Sequence, residues 1–521
     1  MASRARTADP RIWMPAVVGV VALAYWLPYS LRAGFVYDDW ASAAGQQFHV
    51  ALFTSYRPGF IVWEAVAVRV FGTAPVGYYV SSAVLMSAMA VMAVVALNGL
   101  GIPPLASAGV GLLMVVSSLA DSLGLWWTAS QMSLAMVLGL AAVAAGTRWT
   151  NRRRHAGVWL GVSLVLLVAA TLTYEAVALI VLLPVALIGF GDDRKRVLRW
   201  AAPAVLTAGV AALFMFERAV GPNHKTARPV AQYPARIQSL VRTGTTTFVH
   251  HLVGFITVAD GLLACVVAAA CYGAWRAAGR PVPEPRTSGW WMGVTGLLLI
   301  DGTYLAWTPF IPANDYYSPD QFGIGNRVNL LAQLFFLTAL VLLLLGVAKA
   351  VASRPRVAAV GVVVIAGLFT VVFASSFSQT RQDQADFLFA TTQRQRIIAD
   401  VKKLLPRVDG GDEILLAGYH LTASPQWVPV LSAPWDTTGA LDLLYDNGTI
   451  TAQPVSAALG CTAEGLTQPL LEQVNSVPYR RVVVVDIATN RVERISDRSR
   501  CRAALATVTV NPNPILASPS A

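Results

Sequence analysis

Charge is what this 521-residue sequence has least of, with 13% Asp, Glu, Lys and Arg against 55% hydrophobic residues. A soluble domain carries about twice that share of charge, so a water-soluble enzyme of this size is excluded at the outset. The mean hydropathy of +0.56 points the same way, to a polytopic membrane protein. Cysteine is scarce too: Cys265 and Cys271 fall in an apolar run, Cys461 and Cys501 in the polar C-terminal region, and none has metal-ligand spacing. A 461–501 disulfide and two free thiols are both open from the sequence. Internal repeats, the matched halves common in transporters and a phosphate-cradling Gly-rich loop are all missing.

The net charge of +11 would suit a polyanion partner if it were clustered on one surface. Instead the excess falls in short loops between apolar runs, Arg148 to His155, Arg194 to Arg199, Arg276 to Arg286 and Lys349 to Arg356. Placed on the cytoplasmic side these loops orient the protein, and nucleic acid is not an expected partner. Arg4, Arg6 and Arg11 precede an apolar stretch too long for a signal-peptide core, which is expected to be a retained first span with its N-terminus inside.

Apolar runs long enough to cross a bilayer occur at about 12–31, 75–97, 104–120, 125–146, 156–172, 174–190, 199–216, 250–274, 290–309, 328–348 and 356–376. Eleven spans and a plasma-membrane location follow as expectations. The fifth and sixth could also be one long helix kinked at Tyr174-Glu175. Two long outer loops, Arg32 to about Pro75 and Glu217 to about His250, exceed what a connection needs, and Phe60 to Phe71 suits an interfacial helix. From Phe377 the composition becomes that of a small soluble domain, with a helix to Arg407 and strands at Glu413 to Gly418 and Arg481 to Asp486. The expected division is a membrane domain over 1–376, an extracytoplasmic α/β domain over 377–510 and a tail over 511–521.

Phe35-Val36-Tyr37-Asp38-Asp39-Trp40 begins just beyond the outer end of the first span. Acids flanking a span are often plain solvated residues, but two adjacent carboxylates level with lipid head groups can also supply a general base, with one deprotonating a hydroxyl and its neighbour positioning it. Ser55-Tyr56-Arg57-Pro58 follows, then the amphipathic stretch, then Gly77-Tyr78-Tyr79. This series resembles the first outer loop and second span of the tetratricopeptide-bearing transmembrane O-mannosyltransferases, and more broadly the C-type membrane glycosyltransferases (GT-C) that use polyprenyl-phosphate sugars. The likeness covers about the first hundred residues. It implies a catalytic acid at Asp38, an acidic neighbour at Asp39, a loop motif at Tyr56-Arg57-Pro58 and an active site facing the outer leaflet. The repeats of that family are missing here, which leaves the acceptor open between a glycan and a protein hydroxyl, and the donor sugar open as well.

Transfer from such a donor needs cations for the departing phosphate. Arg327 is the favoured candidate, because Gly323-Ile324-Gly325-Asn326-Arg327 enters a span directly; a snorkelling anchor is the alternative. Lys225 and Arg228 lie in the second long loop, expected to act as a lid. Glu175 is a lone acid at an outer helix junction, either substrate-binding or the partner of an Arg such as Arg57. Trp127 and Gln131 would suit stacking on and hydrogen bonding to a sugar. No metal or other cofactor is expected. The expected partners are the donor lipid, the acceptor and membrane lipids, with a lipid or solute transporter as the alternative function.

Overall fold

The computed structural model describes residues 9–49, 57–151, 155–190, 194–220, 228–253, 262, 265–266, 289–313, 317–319, 325–352, 355–424, 427–455, 460–467, 477–509 and 511. The helices are α1 Pro10–Ser30, α2 Asp38–Phe48, α3 Pro58–Phe71, α4 Pro75–Gly99, α5 Pro104–Val116, the one-turn α6 Ser122–Leu125, α7 Ser130–Asn151, α8 Ala156–Thr173, the short α9 Leu182–Ala186, α10 Arg194–Val220, α11 Tyr233–Val253, α12 Gly289–Leu305, α13 Leu330–Ala352 and α14 Pro355–Leu404. Proline opens α1, α3, α4 and α5, where its missing N–H leaves no helical bond unmade. α1, α4 and α5 pack closely through small residues: a Cβ on Gly19 would lie 2.7 Å from Val91, and one on Gly111 2.7 Å from Val94.

Six helical stretches among the described residues are long and apolar enough to cross a membrane: Pro10–Ser30, Pro75–Gly99, Trp127–Thr150, Ala156–Thr173, Gly325–Val347 and Val363–Leu404. Val17, Val20, Val158, Val165, Leu206 and Val210 are exposed on α1, α8 and α10, the outward apolar face a lipid-embedded bundle presents. Three of the eleven expected spans are shorter apolar helices, Pro104–Val116, Glu175–Ala186 and Val197–Leu213. α5 stops at Val116 because Ser117 turns extended and its hydroxyl accepts from the Leu119 N–H, starting a new turn. The kinked-helix alternative at Tyr174 does not occur: α8 ends at Thr173, Tyr174 is extended, and Glu175–Val181 is a 3₁₀ helix. α12 runs only 17 residues, and most of the expected eighth span lies outside the described residues.

α3 takes the place expected for an interfacial helix. Phe60, Glu64 and Ala67 face inward, while Ile61, Val62, Val66 and Val70 form an exposed apolar stripe. α14 is a single helix of 50 residues, so the boundary expected at 377 lies within one continuous element.

Beyond α14 comes a small α/β region with helices α15 Pro434–Tyr445 and α16 Arg498–Thr507. Its strands are β1 Glu413–Ala417, β2 Thr422–Ala423, β3 Val428–Pro429, β4 Thr451–Pro454, β5 Gly460–Cys461, β6 Leu466–Thr467, β7 Val482–Asp486 and β8 Arg491–Arg494. The main sheet has the order β4-β1-β7-β8, with β1 parallel to both β4 and β7, and β8 antiparallel to β7. Side chains alternate across it. Ile414, Leu416, Val483 and Val485 join the core that runs into the helical bundle, whereas Leu415, Ala417, Val482 and Val484 form a second core with Cys501 and Ala504 of α16. Cys461 and Cys501 are joined by a disulfide on that second side.

Candidate functional site

The site gathers at one end of the bundle, where α1 ends, α4, α7 and α13 begin, and α8 gives way to Glu175. Arg148, Arg194 and Lys349 lie in helical turns at the opposite end.

Tyr37 carries the strain that shapes the loop, with φ 50° and ψ −116°, a region a non-glycine residue leaves unless its surroundings fix it. Its twist starts α2 abruptly, so that Asp38 and Asp39 occupy the first helical turn, where the helix dipole favours negative charge. The two acids then diverge. Asp39 is completely buried and accepts from Val36 N (3.0 Å), Tyr79 Oη (2.7 Å), Thr128 N (2.8 Å) and Thr128 Oγ1 (2.5 Å). With both oxygens engaged, Asp39 ties the loop to α4 and to the turn before α7. Among the described residues Asp38 accepts one hydrogen bond, from Trp435 Nε1 at 2.9 Å.

Burial pushes the Asp38 carboxyl up to about 7, against the opposing pull of Arg327 and of the Trp435 hydrogen bond, with Asp39 and Asp436 adding to the rise. Such a group exchanges protons near neutrality, as a general base must. Burial raises Asp39 too, with the hydrogen bonds from Thr128 and Tyr79 working against it. Glu64, on the inward face of α3, is likewise raised to about 7 by burial, with Asp38 and Asp39 close enough to contribute.

Arg327 is fixed by its neighbours. Asn326 Nδ2 donates to Asp121 Oδ1 (2.7 Å) and to the Ser118 carbonyl (3.1 Å), and Asn329 Nδ2 donates to the Leu119 carbonyl (2.8 Å). These bonds pin the turn Gly325–Asn329, and the guanidinium lies over the rings of Trp126 (4.9 Å) and Tyr317 (5.0 Å). Tyr37 bridges the two sides, edge-on to Trp126 (6.3 Å) and to Trp435 (5.4 Å). A near-neutral carboxyl and a fixed cation thus lie against one cluster of aromatic rings.

Of the other residues singled out from sequence, Arg57 and Glu175 meet as a bidentate ion pair, both bonds 2.7 Å, with the Arg57 guanidinium 4.4 Å over Tyr174. Glu175 is therefore the ion-pair partner of Arg57. Trp127 is fully buried and packed edge-on against Tyr78 at 4.7 Å, while the ring of its neighbour Trp126 lies under Arg327. Gln131 is also buried and turns its amide back to the Thr128 carbonyl (3.1 Å). Arg228 binds its own surroundings, Nε donating to the Ala313 carbonyl at 2.9 Å. Tyr56 and Lys225 lie outside the described residues.

Sequence reasoning passed over Trp435 and Glu64 as site residues. Glu64 had a usable signal, a lone acid on an amphipathic helix; Trp435, nearly four hundred residues from Asp38, had none. Comparison of the chain with protein-family models and with curated proteins finds no match.

Proposed function

We propose that the protein is an integral-membrane glycosyltransferase that moves a sugar from a polyprenyl-phosphate donor to a glycan or protein hydroxyl at the outer face of the membrane. The observation that carries this reading is the pairing of Asp38, lightly bonded and close to neutral, with Arg327, a cation fixed beside it. Asp38 takes the proton of the acceptor hydroxyl as that oxygen attacks the anomeric carbon. The bond from that carbon to the phosphate oxygen breaks, its electron pair leaves with the polyprenyl phosphate, and the anomeric centre inverts. Arg327 stabilises the charge that builds on the phosphate, a contribution of about 3 kcal/mol for one well-placed donor. Asp38 then returns its proton to water. The lipid tail would lie along the bundle wall beside α3, whose exposed apolar stripe suits contact with lipid.

The outward orientation is supported by the basic residues at the end opposite the site and by the disulfide of the pendant domain, a bond that persists in oxidising compartments. The resemblance of FVYDDW and SYRPGF to the transmembrane O-mannosyltransferases favours the same class. The test uses protein in lipid with a panel of labelled polyprenyl-phosphate sugars and extracted envelope acceptors. Transfer by wild type, its loss in Asp38→Asn, and a kcat/KM for the donor lowered about a hundredfold in Arg327→Ala are expected. Equal transfer by wild type and Asp38→Asn removes Asp38 as the base; bound donor with no transfer in any sample removes the enzyme reading.

A further inference from the structure

The pendant domain and the loop that carries Asp38 meet backbone to backbone. α15 lies across α2, and Gly439 sits at the crossing, where a Cβ would fall 2.6 Å from the carbonyl carbon and oxygen of Trp40 and 2.8 Å from the Ala41 nitrogen. Any side chain there would force the two helices apart, so glycine allows the seat. One turn earlier on the same helix, half-buried Trp435 directs Nε1–H to Asp38 Oδ1 and sets its ring against Tyr37. The turn that aims Trp435 is itself fixed. Asp436 accepts from Ser432 N (3.0 Å) and Ala433 N (2.9 Å), and Arg394 of α14 donates to the Pro429 carbonyl (2.7 Å) just before it.

We propose that Trp435 is a positioning residue for Asp38, so that the pendant domain completes the active site instead of acting as a detached binding module. The inference rests on Asp38 being the base. The indole N–H occupies one carboxylate oxygen and leaves the other for the acceptor hydroxyl, which fixes the direction from which that hydroxyl arrives. It also stabilises the ionised carboxylate, because a donor to the charged form lowers proton affinity. The groups facing Asp38 are Arg327 on the turn Gly325–Asn329, Asp39 on its own helix, Glu64 on α3 and Asp436 on α15. Three of these four are acids that favour the protonated form. Among the described residues, Arg327 and Trp435 hold Asp38 back from a still higher proton affinity.

The test takes Trp435→Phe and Gly439→Val in the full chain in lipid. Phenylalanine keeps the ring contact and deletes the N–H. Losing a hydrogen bond to a charged group raises proton affinity about tenfold, so the acid limb of kcat should move up by about one pH unit. With Asp38 half-ionised near pH 7, kcat there should fall about fivefold, recover towards wild type at pH 9, and leave the donor KM unchanged. Gly439→Val keeps the indole but lifts α15, and should move the same limb. It carries the test by itself should Trp435→Phe fail to fold.

Infrared titration of the carboxyl band that is absent in Asp38→Asn follows the same proton without turnover. A band and a pH profile that stay put in folded variants overturn the proposal, as does a loss of rate that is uniform across pH. A shifted band in a protein that transfers no sugar keeps the Trp435 contact and discards the glycosyltransferase reading.

Discussion

Asp39→Ala would leave Tyr79 Oη, Thr128 N, Thr128 Oγ1 and Val36 N without an acceptor in a dry interior. Stranding several buried donors costs on the order of 3 kcal/mol, more than surface truncations do. Thermal unfolding in detergent should therefore show a clear loss of stability for Asp39→Ala and almost none for Asp38→Asn. The latter keeps its shape and leaves a single hydrogen bond to adjust. The contrast explains how far a sequence can be read at this scale. Two adjacent aspartates look alike in sequence, and only the donors folded around them decide which is the anchor and which stays lightly bonded. Trp126 and Trp127 differ in the same way: consecutive residues point in different directions, so one faces Arg327 and the other disappears behind Tyr78.

α14 is clamped to the segment between α5 and α7 by polar contacts in an otherwise apolar wall. Thr380 Oγ1 donates to the Val116 carbonyl at 2.8 Å, and Gln379 Nε2 supports Asp383 at 2.8 Å. Asp383 and Asp121 bring their carboxyls into contact, and the Oδ2 atom of each has no other partner. Burial raises Asp121 to about 6, while hydrogen bonds from Asp383 and Asn326 lower it. The folded protein therefore holds a proton there that the unfolded chain has already released. Stability from this contact is present at low pH and declines as pH rises above the ordinary carboxylate range. Asp383→Asn supplies an amide donor in place of that proton. It should leave unfolding at pH 5 unchanged and raise stability at pH 8 by about 1 kcal/mol, measured as the difference in midpoints; a loss at both pH values would show that the contact is not an acid pair.

Hydropathy located the stretches that became helices, because burial in lipid demands apolar length. Among the described residues, Ser117 and Tyr174 interrupt the helical backbone without making the sequence less apolar, so apolar length there does not yield one regular span.

One hydrophobic core passes from the bundle through α15 to the near face of the sheet, and the disulfide side forms a separate layer. Sequence composition marks the change at Phe377, but it cannot show that the soluble-looking part shares its interior with the membrane part. That sharing depends on the two-residue alternation of β1 and β7 choosing which face meets α15. The Cys461–Cys501 link closes a separation of 40 residues, worth about 4 kcal/mol in a chain-entropy account. Cys501→Ser should loosen the outer layer, seen as faster proteolysis within residues 460–507, while Trp435 and sugar transfer survive on the inner face. Loss of transfer in step with proteolysis would mean that the two layers unfold together.

The unbroken course of α14 makes it a lever. Its 50 residues extend about 75 Å, from an apolar stretch long enough to cross a membrane to the turn that aims Trp435. Having no joint, it carries a tilt of about 1° at the apolar end into roughly 1 Å at the far end, enough to spoil an alignment on which catalysis depends. If the protein is the transferase proposed above, bilayer thickness becomes an input to transfer. Reconstitution in lipids of increasing acyl length should give a rate with a sharp optimum, the membrane serving as a ruler against which the enzyme is set.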